Sequence, residues 1–189
     1  MGKIYMIGSQ KGGTAKTTTT FNLAYCLQKM RKRVLAVDFD SQANLTTCFG
    51  VEDTGVLDDT IGHLMMAQIE DMKLPSPEKY IRTKDGVDFI PSSIYLSVAD
   101  AKLRMEMGAE KMLSGILEPL REKYDYILID TLCGYPHKVS NAELNIMQSN
   151  YLQSLIKPMI FFLFTQHNIP YRIPLTNHRK GVPIWSNTR

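Results

Sequence analysis

Between an apolar run, Lys3 to Gly8, and a helical pattern from Thr17 onward, the chain reads Gly8-Ser-Gln-Lys11-Gly12-Gly13-Thr14-Ala15-Lys16-Thr17-Thr18. A glycine-rich turn where a strand enters a helix lets several backbone N–H groups converge on one anion, and the helix N-terminus adds the positive end of its dipole. Lys16 at that junction can reach the β and γ phosphates of a nucleotide, and the Thr17 hydroxyl can ligate Mg²⁺. The G-x-x-x-x-G-K-[ST] pattern is not met to the letter, because Gln10 and Ala15 fill its two glycine positions. A Gly-Gly turn beside an unrelated Lys-Thr is the alternative, and the strand before and helix after weigh against it.

The elements that must position these residues follow from periodicity. Lys3 to Gly8 and Arg33 to Asp38 are short apolar runs suited to buried parallel strands, and Thr17 to Met30 between them carries Phe21, Leu23, Ala24, Tyr25 and Leu27 at helical spacings with no Gly or Pro. Strand, helix, strand is a βαβ unit. Ile81 to Thr83 and Val87 to Ile90 flank Lys84-Asp85-Gly86, whose Asp-Gly predicts a small hairpin. Leu113, Ile116, Leu117 and Leu120 predict one face of a helix ending near Lys123, and Tyr124 to Asp130 is a further core strand that finishes in a carboxylate. The alternation predicts a single α/β domain with a largely parallel sheet flanked by helices.

In place of the ordinary phosphate-loop pattern stands Lys-Gly-Gly-x-x-Lys-Thr, with Lys11 opening the loop. This is the deviant Walker A motif, and the chain resembles the ParA/Soj/MinD family of P-loop ATPases. VLAVDFDSQANLT, Val34 to Thr46, is similar to the family's Asp-x-Asp-Pro-Gln-Gly-Asn segment, with Asp38 and Asp40 as the matching acids and Ser41 and Ala43 in place of Pro and Gly. YDYILIDT, Tyr124 to Thr131, resembles the Walker B strand, and VDFIPSSIYLS, Val87 to Ser97, a stretch common in ParA-type proteins. The resemblance spans residues 1 to about 131 and implies a P-loop NTPase-like fold.

It also implies roles. ATP and Mg²⁺ are the expected ligands, bound by Lys11, Gly12, Gly13, Thr14, Ala15, Lys16, Thr17 and Thr18, with the metal at Thr17, Asp38 and Asp130. Lys16 and the loop amides neutralise the γ-phosphate, Asp130 holds a metal-bound water, Asp40 orients the attacking water, and Asp38 lies beside the metal shell. Lys11 reaches across an ATP-dependent homodimer in the manner of an arginine finger. The implied function is hydrolysis of ATP in plasmid or chromosome partition, with non-specific DNA and a ParB-like protein as partners. Read without the resemblance, Asp38 and Asp40 could be solvated loop acids and Asp130 a strand-end acid capping a helix.

Composition sets the outer bounds. The chain has 189 residues, 44% apolar and 22% charged, ordinary values for one globular domain. Its longest apolar stretch, Met159 to Phe164, is far short of the roughly 20 residues of a membrane-spanning helix, and reads as a buried strand. No secretory h-region is visible, so the expected location is the cytoplasm of a bacterium, on the nucleoid where DNA binding is retained. No stable membrane association is expected, because Pro170, Pro174 and Pro183 interrupt any C-terminal amphipathic helix. Cys26, Cys48 and Cys133 form neither a disulfide framework nor a zinc pattern and are expected to act as small buried hydrophobes, and the four histidines share no metal spacing. Met65, Met66, Met105, Met107 and Met112 read as core.

Charge divides the chain. Residues 1–143 hold 17 basic and 19 acidic side chains, whereas residues 144–189 hold five basic and none acidic. The expected organisation is a ParA-like ATPase domain over 1–143 and a divergent basic tail over 144–189, with the fold incomplete at its C-terminal end. Past Asp130-Thr131 only Asn141-Ala142 is similar to the family, so the alternative function is a truncated or frameshifted paralogue that binds nucleotide weakly and lacks significant ATPase activity.

Overall fold

The computed structural model describes residues 1–8, 15–103 and 109–131, together with the backbone of three short strands at 145–148, 174–176 and 183–185. In chain order the elements are β1 (Lys3–Gly8), α1 (Lys16–Lys29), β2 (Val34–Phe39), α2 (Asn44–Cys48), α3 (Ile61–Ile69), α4 (Pro77–Tyr80), β3 (Arg82–Lys84), β4 (Val87–Ile90), α5 (Leu96–Leu103), α6 (Ala109–Leu117), β5 (Tyr126–Thr131), β6 (Asn145–Gln148), β7 (Pro174–Thr176) and β8 (Pro183–Trp185). Six strands form one sheet in the order β3-β4-β2-β5-β1-β6, parallel except for β3, and β7 pairs with β8 separately.

The strands are apolar on both sides because both faces of the sheet are covered. Alternation sends Ile4, Met6, Leu35, Val37, Ile127 and Ile129 to one face, where they cluster with Leu64 and Met65 of α3 and Ile116 and Leu117 of α6. Tight approach matters on this side: a Cβ on Gly62 would stand 2.7 Å from the Leu96 backbone nitrogen. Ile7, Ala36, Phe89 and Leu128 point the other way, against Phe21 and Ala24 of α1 and Phe49. Met65 and Met66 are core residues, in agreement with the sequence, and Met112 packs at the edge of the same cluster.

Local signals account for most boundaries. The Asp-Gly turn of the hairpin holds Asp85 at φ 49° and Gly86 at φ 80°, the two left-handed residues that match the twist of the strands it joins. The helix expected to run to near Lys123 ends instead at Leu117, followed by a 3₁₀ turn over Glu118–Leu120. Pro119 is the cause, since it lacks an N–H and its ring crowds the carbonyl four residues back.

Beyond residue 143, β6 joins the main sheet beside β1, with Tyr5 opposite Asn145 and Gly8 opposite Gln148. Cys133, Met105, Met107 and the apolar stretch 159–164 lie outside the described residues. Among the described residues no helix is long and apolar enough to cross a membrane.

Candidate functional site

In a parallel sheet the C-terminal ends of the strands form the edge at which ligands collect. Here β1, β5 and β2 are neighbours and end together: Asp130 lies opposite Ile7 on one side and opposite Asp38 on the other. Period two explains which way these acids face. Val34 and Ala36 on β2, and Leu128 on β5, contribute to the core under α1, so Asp38 and Asp130 continue the same inward rows toward the helix N-terminus. Thr131 ties the edge together by donating its hydroxyl to the Ile7 carbonyl at 3.0 Å.

Helix α1 brings Lys16 and Thr17 to the same edge. It starts without a side-chain cap and has no acid in its first turn, so its leading amides are left for an anion from elsewhere. Ala15, before it, stands in the left-handed region at φ 57°. Lys16 is buried, and its charge favours the ionised form of Asp130. Of the remaining expected nucleotide contacts, Thr18 follows Thr17 in the first turn, while Lys11, Gly12, Gly13 and Thr14 lie outside the described residues.

The three acids differ sharply in environment. Asp130 is almost wholly buried, and that burial, with the neighbouring Asp38 charge, pushes its carboxyl well above the usual range against the opposing pull of Thr17 and Lys16. The Thr17 hydroxyl lies beside it and pulls it down, while both Asp130 carboxylate oxygens are buried with no hydrogen-bond partner among the described residues. Asp38 is equally buried but fully engaged. Its Oδ2 accepts 2.7 Å bonds from both the N–H and the hydroxyl of Thr46, and its Oδ1 accepts the Asp40 N–H at 3.2 Å. Burial raises it to about 7 in spite of these bonds. Asp40 is half-buried in the loop after β2, where its Oδ1 accepts the Gln42 N–H at 2.9 Å.

A buried carboxylate with no partner is costly, and a hydrated divalent cation resting against it removes that cost. Among the described residues no group of three or more His, Cys, Asp and Glu could hold a metal unaided. That suits Mg²⁺, which is commonly held by one or two protein groups together with phosphate oxygens and water. Thr17 and Asp130 therefore fit the ion.

Three residues to which the sequence reading assigns no role in the site border it. Thr46 binds Asp38, Ser92 donates its N–H to the Thr46 hydroxyl at 2.8 Å, and the Cys48 thiol is pushed to about 12 by burial and by the charges of Asp130 and Asp38. No local pattern marks the contact of Ser92 with Thr46, since it joins segments far apart in sequence.

Residues 2–158 match a family model described as an AAA domain, AAA_31. The sporulation initiation inhibitor protein Soj of Bacillus subtilis is 37% identical over 130 residues, which cover 69% of this chain and 49% of Soj. The septum site-determining protein MinD of Pyrococcus horikoshii, solved in complex with Mg-ADP, is similar with a TM-score of 0.54 and 35% identity, over 71% of this chain and 50% of MinD. Cobyrinic acid a,c-diamide synthase of Mycobacterium smegmatis, solved with a bound ATP analog and magnesium, covers 95% of this chain and 88% of its own at a TM-score of 0.65, and at 21% identity it shares the fold alone. The chain spans about half the length of the curated relatives it matches.

Proposed function

The chain belongs to the AAA-domain family of ParA/Soj-like P-loop ATPases, and from that premise we propose that it binds ATP with Mg²⁺ at the β1, β5 and β2 edge and hydrolyses the terminal phosphate. One observation carries the reading: Asp130, buried and with both carboxylate oxygens lacking a hydrogen-bond partner among the described residues, lies beside Thr17 at the start of α1. A site built only for stability would not leave both oxygens of a core carboxylate unsatisfied.

Each residue has a task. The first-turn amides of α1 and the Lys16 ammonium hold the β and γ phosphates and oppose the charge that builds on them. Thr17 ligates Mg²⁺, and Asp130 accepts hydrogen bonds from its bound water. The ion, when bound, neutralises charge between the transferring and leaving phosphates. Asp40 orients the attacking water from the loop after β2. Lys11 acts in trans within an ATP-dependent homodimer, as a deviant Walker A lysine, and couples turnover to dimerisation. Residues 1–143 form the ATPase domain. The basic 144–189 segment contacts non-specific DNA, a ParB-like protein stimulates the cycle, and the protein works in the bacterial cytoplasm on the nucleoid.

The test is titration with a fluorescent ATP analogue in the presence of Mg²⁺. Lys16→Ala is expected to abolish binding, because among the residues of this proposal Lys16 is the cation placed at the helix start beside Thr17 and Asp130. Equal affinity in the wild type and the variant overturns the assignment of the loop. Binding without turnover points to the weak-binding paralogue.

A further inference from the structure

We propose that Thr46 is a positioning residue for the hydrolytic step, held by Ser92 and holding Asp38, so that Asp38 braces the loop carrying Asp40 and leaves Asp130 to face the Mg²⁺ shell. The role in hydrolysis rests on the ATPase reading above.

Asp38 and Asp130 stand side by side in register, yet their oxygens are used in opposite ways. Asp38 Oδ2 takes two short bonds from the one residue Thr46, whose N–H and hydroxyl both donate at 2.7 Å. Asp38 Oδ1 takes the Asp40 N–H. A carboxylate offers about four lone-pair directions, and three are occupied. Asp130 has all of its own without a partner among the described residues. Of two neighbouring acids at the same strand ends, Asp130 is therefore the one with capacity for the water of a hydrated cation.

The occupied bonds of Asp38 close a loop. Residues 38 and 46 are joined directly, and between them the Asp40 side chain accepts the Gln42 N–H while the Asp40 carbonyl accepts the Ala43 N–H, both at 2.9 Å. The direction in which Asp40 presents its carboxylate is set inside this closed segment. Thr46 is in turn fixed from outside: its hydroxyl proton goes to Asp38, and its oxygen accepts the Ser92 N–H at 2.8 Å. Ser92 follows β4, which pairs with β2 through Val37 and Ile90. The segment it belongs to is anchored on α3, where the Pro91 carbonyl accepts the Ile61 N–H at 2.9 Å and Ser93 Oγ lies 3.3 Å from Thr60 Oγ1. All of Thr46, Ser92, Ser93 and Thr60 are buried, so water does not compete for these bonds.

Thr46→Val in the full chain removes the hydroxyl at nearly constant volume, and Thr46→Ser restores it. Hydrogen exchange of the ligand-free protein is read first, over the peptide spanning residues 39–46. Thr46→Val is expected to speed exchange at the 40–43 amides by about tenfold or more, the factor appropriate to a lost hydrogen bond with a charged group. Thr46→Ser is expected to stay near the wild type. In ATPase assays kcat falls on the order of 10²-fold in Thr46→Val, the usual result of a misplaced catalytic group. ATP affinity and the Mg²⁺ concentration for half-maximal rate remain unchanged, and Thr46→Ser recovers kcat. Wild-type exchange in Thr46→Val, or failure of serine to rescue, overturns the brace. A raised Mg²⁺ requirement with unchanged kcat overturns it in favour of Asp38 in the metal shell. If the wild type has no turnover, the ATPase reading and the hydrolytic role fall together, while exchange still decides the brace. Should Thr46→Val not fold, Asp38→Asn carries the same exchange expectation, because it turns one acceptor into a donor.

Discussion

At the scale of single residues the site sets two buried carboxylates, Asp38 and Asp130, side by side, and its pH behaviour follows from their burial. Asp38 is raised to about 7 and Asp130 well above its ordinary value, both chiefly by burial. An acid whose folded value exceeds its unfolded one, near 4, binds more protons when folded, so stability falls as pH rises through that interval. For Asp38 the loss is complete above about 7. The ligand-free protein is therefore expected to lose stability between pH 5 and pH 8 in denaturant titrations, and Asp130→Asn to be more stable than the wild type at pH 8 with a flatter profile. A wild type that gains stability over that range would contradict the burial argument. The proposed roles of Lys11 and Asp40 carry a separate expectation for turnover. Lys11→Ala and Asp40→Ala are expected to keep ATP affinity and to lose on the order of 10²-fold in steady-state rate, the first through lost charge in trans and the second through an unoriented water. Unchanged rates in both mean that the family mechanism does not operate here.

Short elements carry strain that the sequence displays as substitutions. Ala15 and Ala43 stand where the resembled motifs have glycine, and both are left-handed, at φ 57° and 51°. A Cβ in that region costs on the order of 1 kcal/mol, partly offset by the lower chain entropy of alanine when unfolded. Ala43→Gly, at the start of α2, is expected to raise stability by about 0.5 kcal/mol, measured as a higher urea midpoint at unchanged slope; a lower midpoint would refute the strain. Gly62 is the reverse case. A methyl there meets the backbone of Leu96 at 2.7 and 2.9 Å, and a backbone cannot step aside as a side chain can. Gly62→Ala should force α3 from α5 and cost about 1–3 kcal/mol, as overpacked cores do; an unchanged midpoint would show that the helices slide freely. The long elements were legible because each carries its own period: β1 ends in Gly8, α1 runs without Gly or Pro, and the hairpin is announced by Asp85-Gly86. Helix α6 is shorter than its apolar spacing predicts, because Pro119 stops it. The contact of Ser92 with Thr46 was not legible, since it is delivered by a strand some fifty residues later, and no local spacing encodes that neighbour.

On the scale of the whole molecule, the order β3-β4-β2-β5-β1-β6 places the strand that feeds the phosphate loop one position from the sheet's edge. What covers it is β6, four residues from the segment whose composition changes so abruptly. The expected boundary at residue 143 lies just before β6, whose backbone pairs with β1 from Tyr5↔Asn145 to Gly8↔Gln148 and reaches the last residue of β1. Removing residues 144–189 would turn β1 into an edge strand with a row of unpaired N–H and C=O groups and with the apolar Tyr5, Met6 and Ile7 beside them. Three consequences are expected of a chain cut after residue 143. Its thermal midpoint falls, because the parallel pairing along β1 is lost, and it self-associates in size-exclusion chromatography at concentrations where the full chain does not, because an open parallel edge is a template for another copy. Affinity for Mg²⁺–ATP falls with it, since Gly8 then ends a strand supported only from the β5 side. A shortened chain with the full chain's midpoint, elution volume and affinity would show that β6 adds nothing to the site, and would make the basic segment separable from the nucleotide-binding unit.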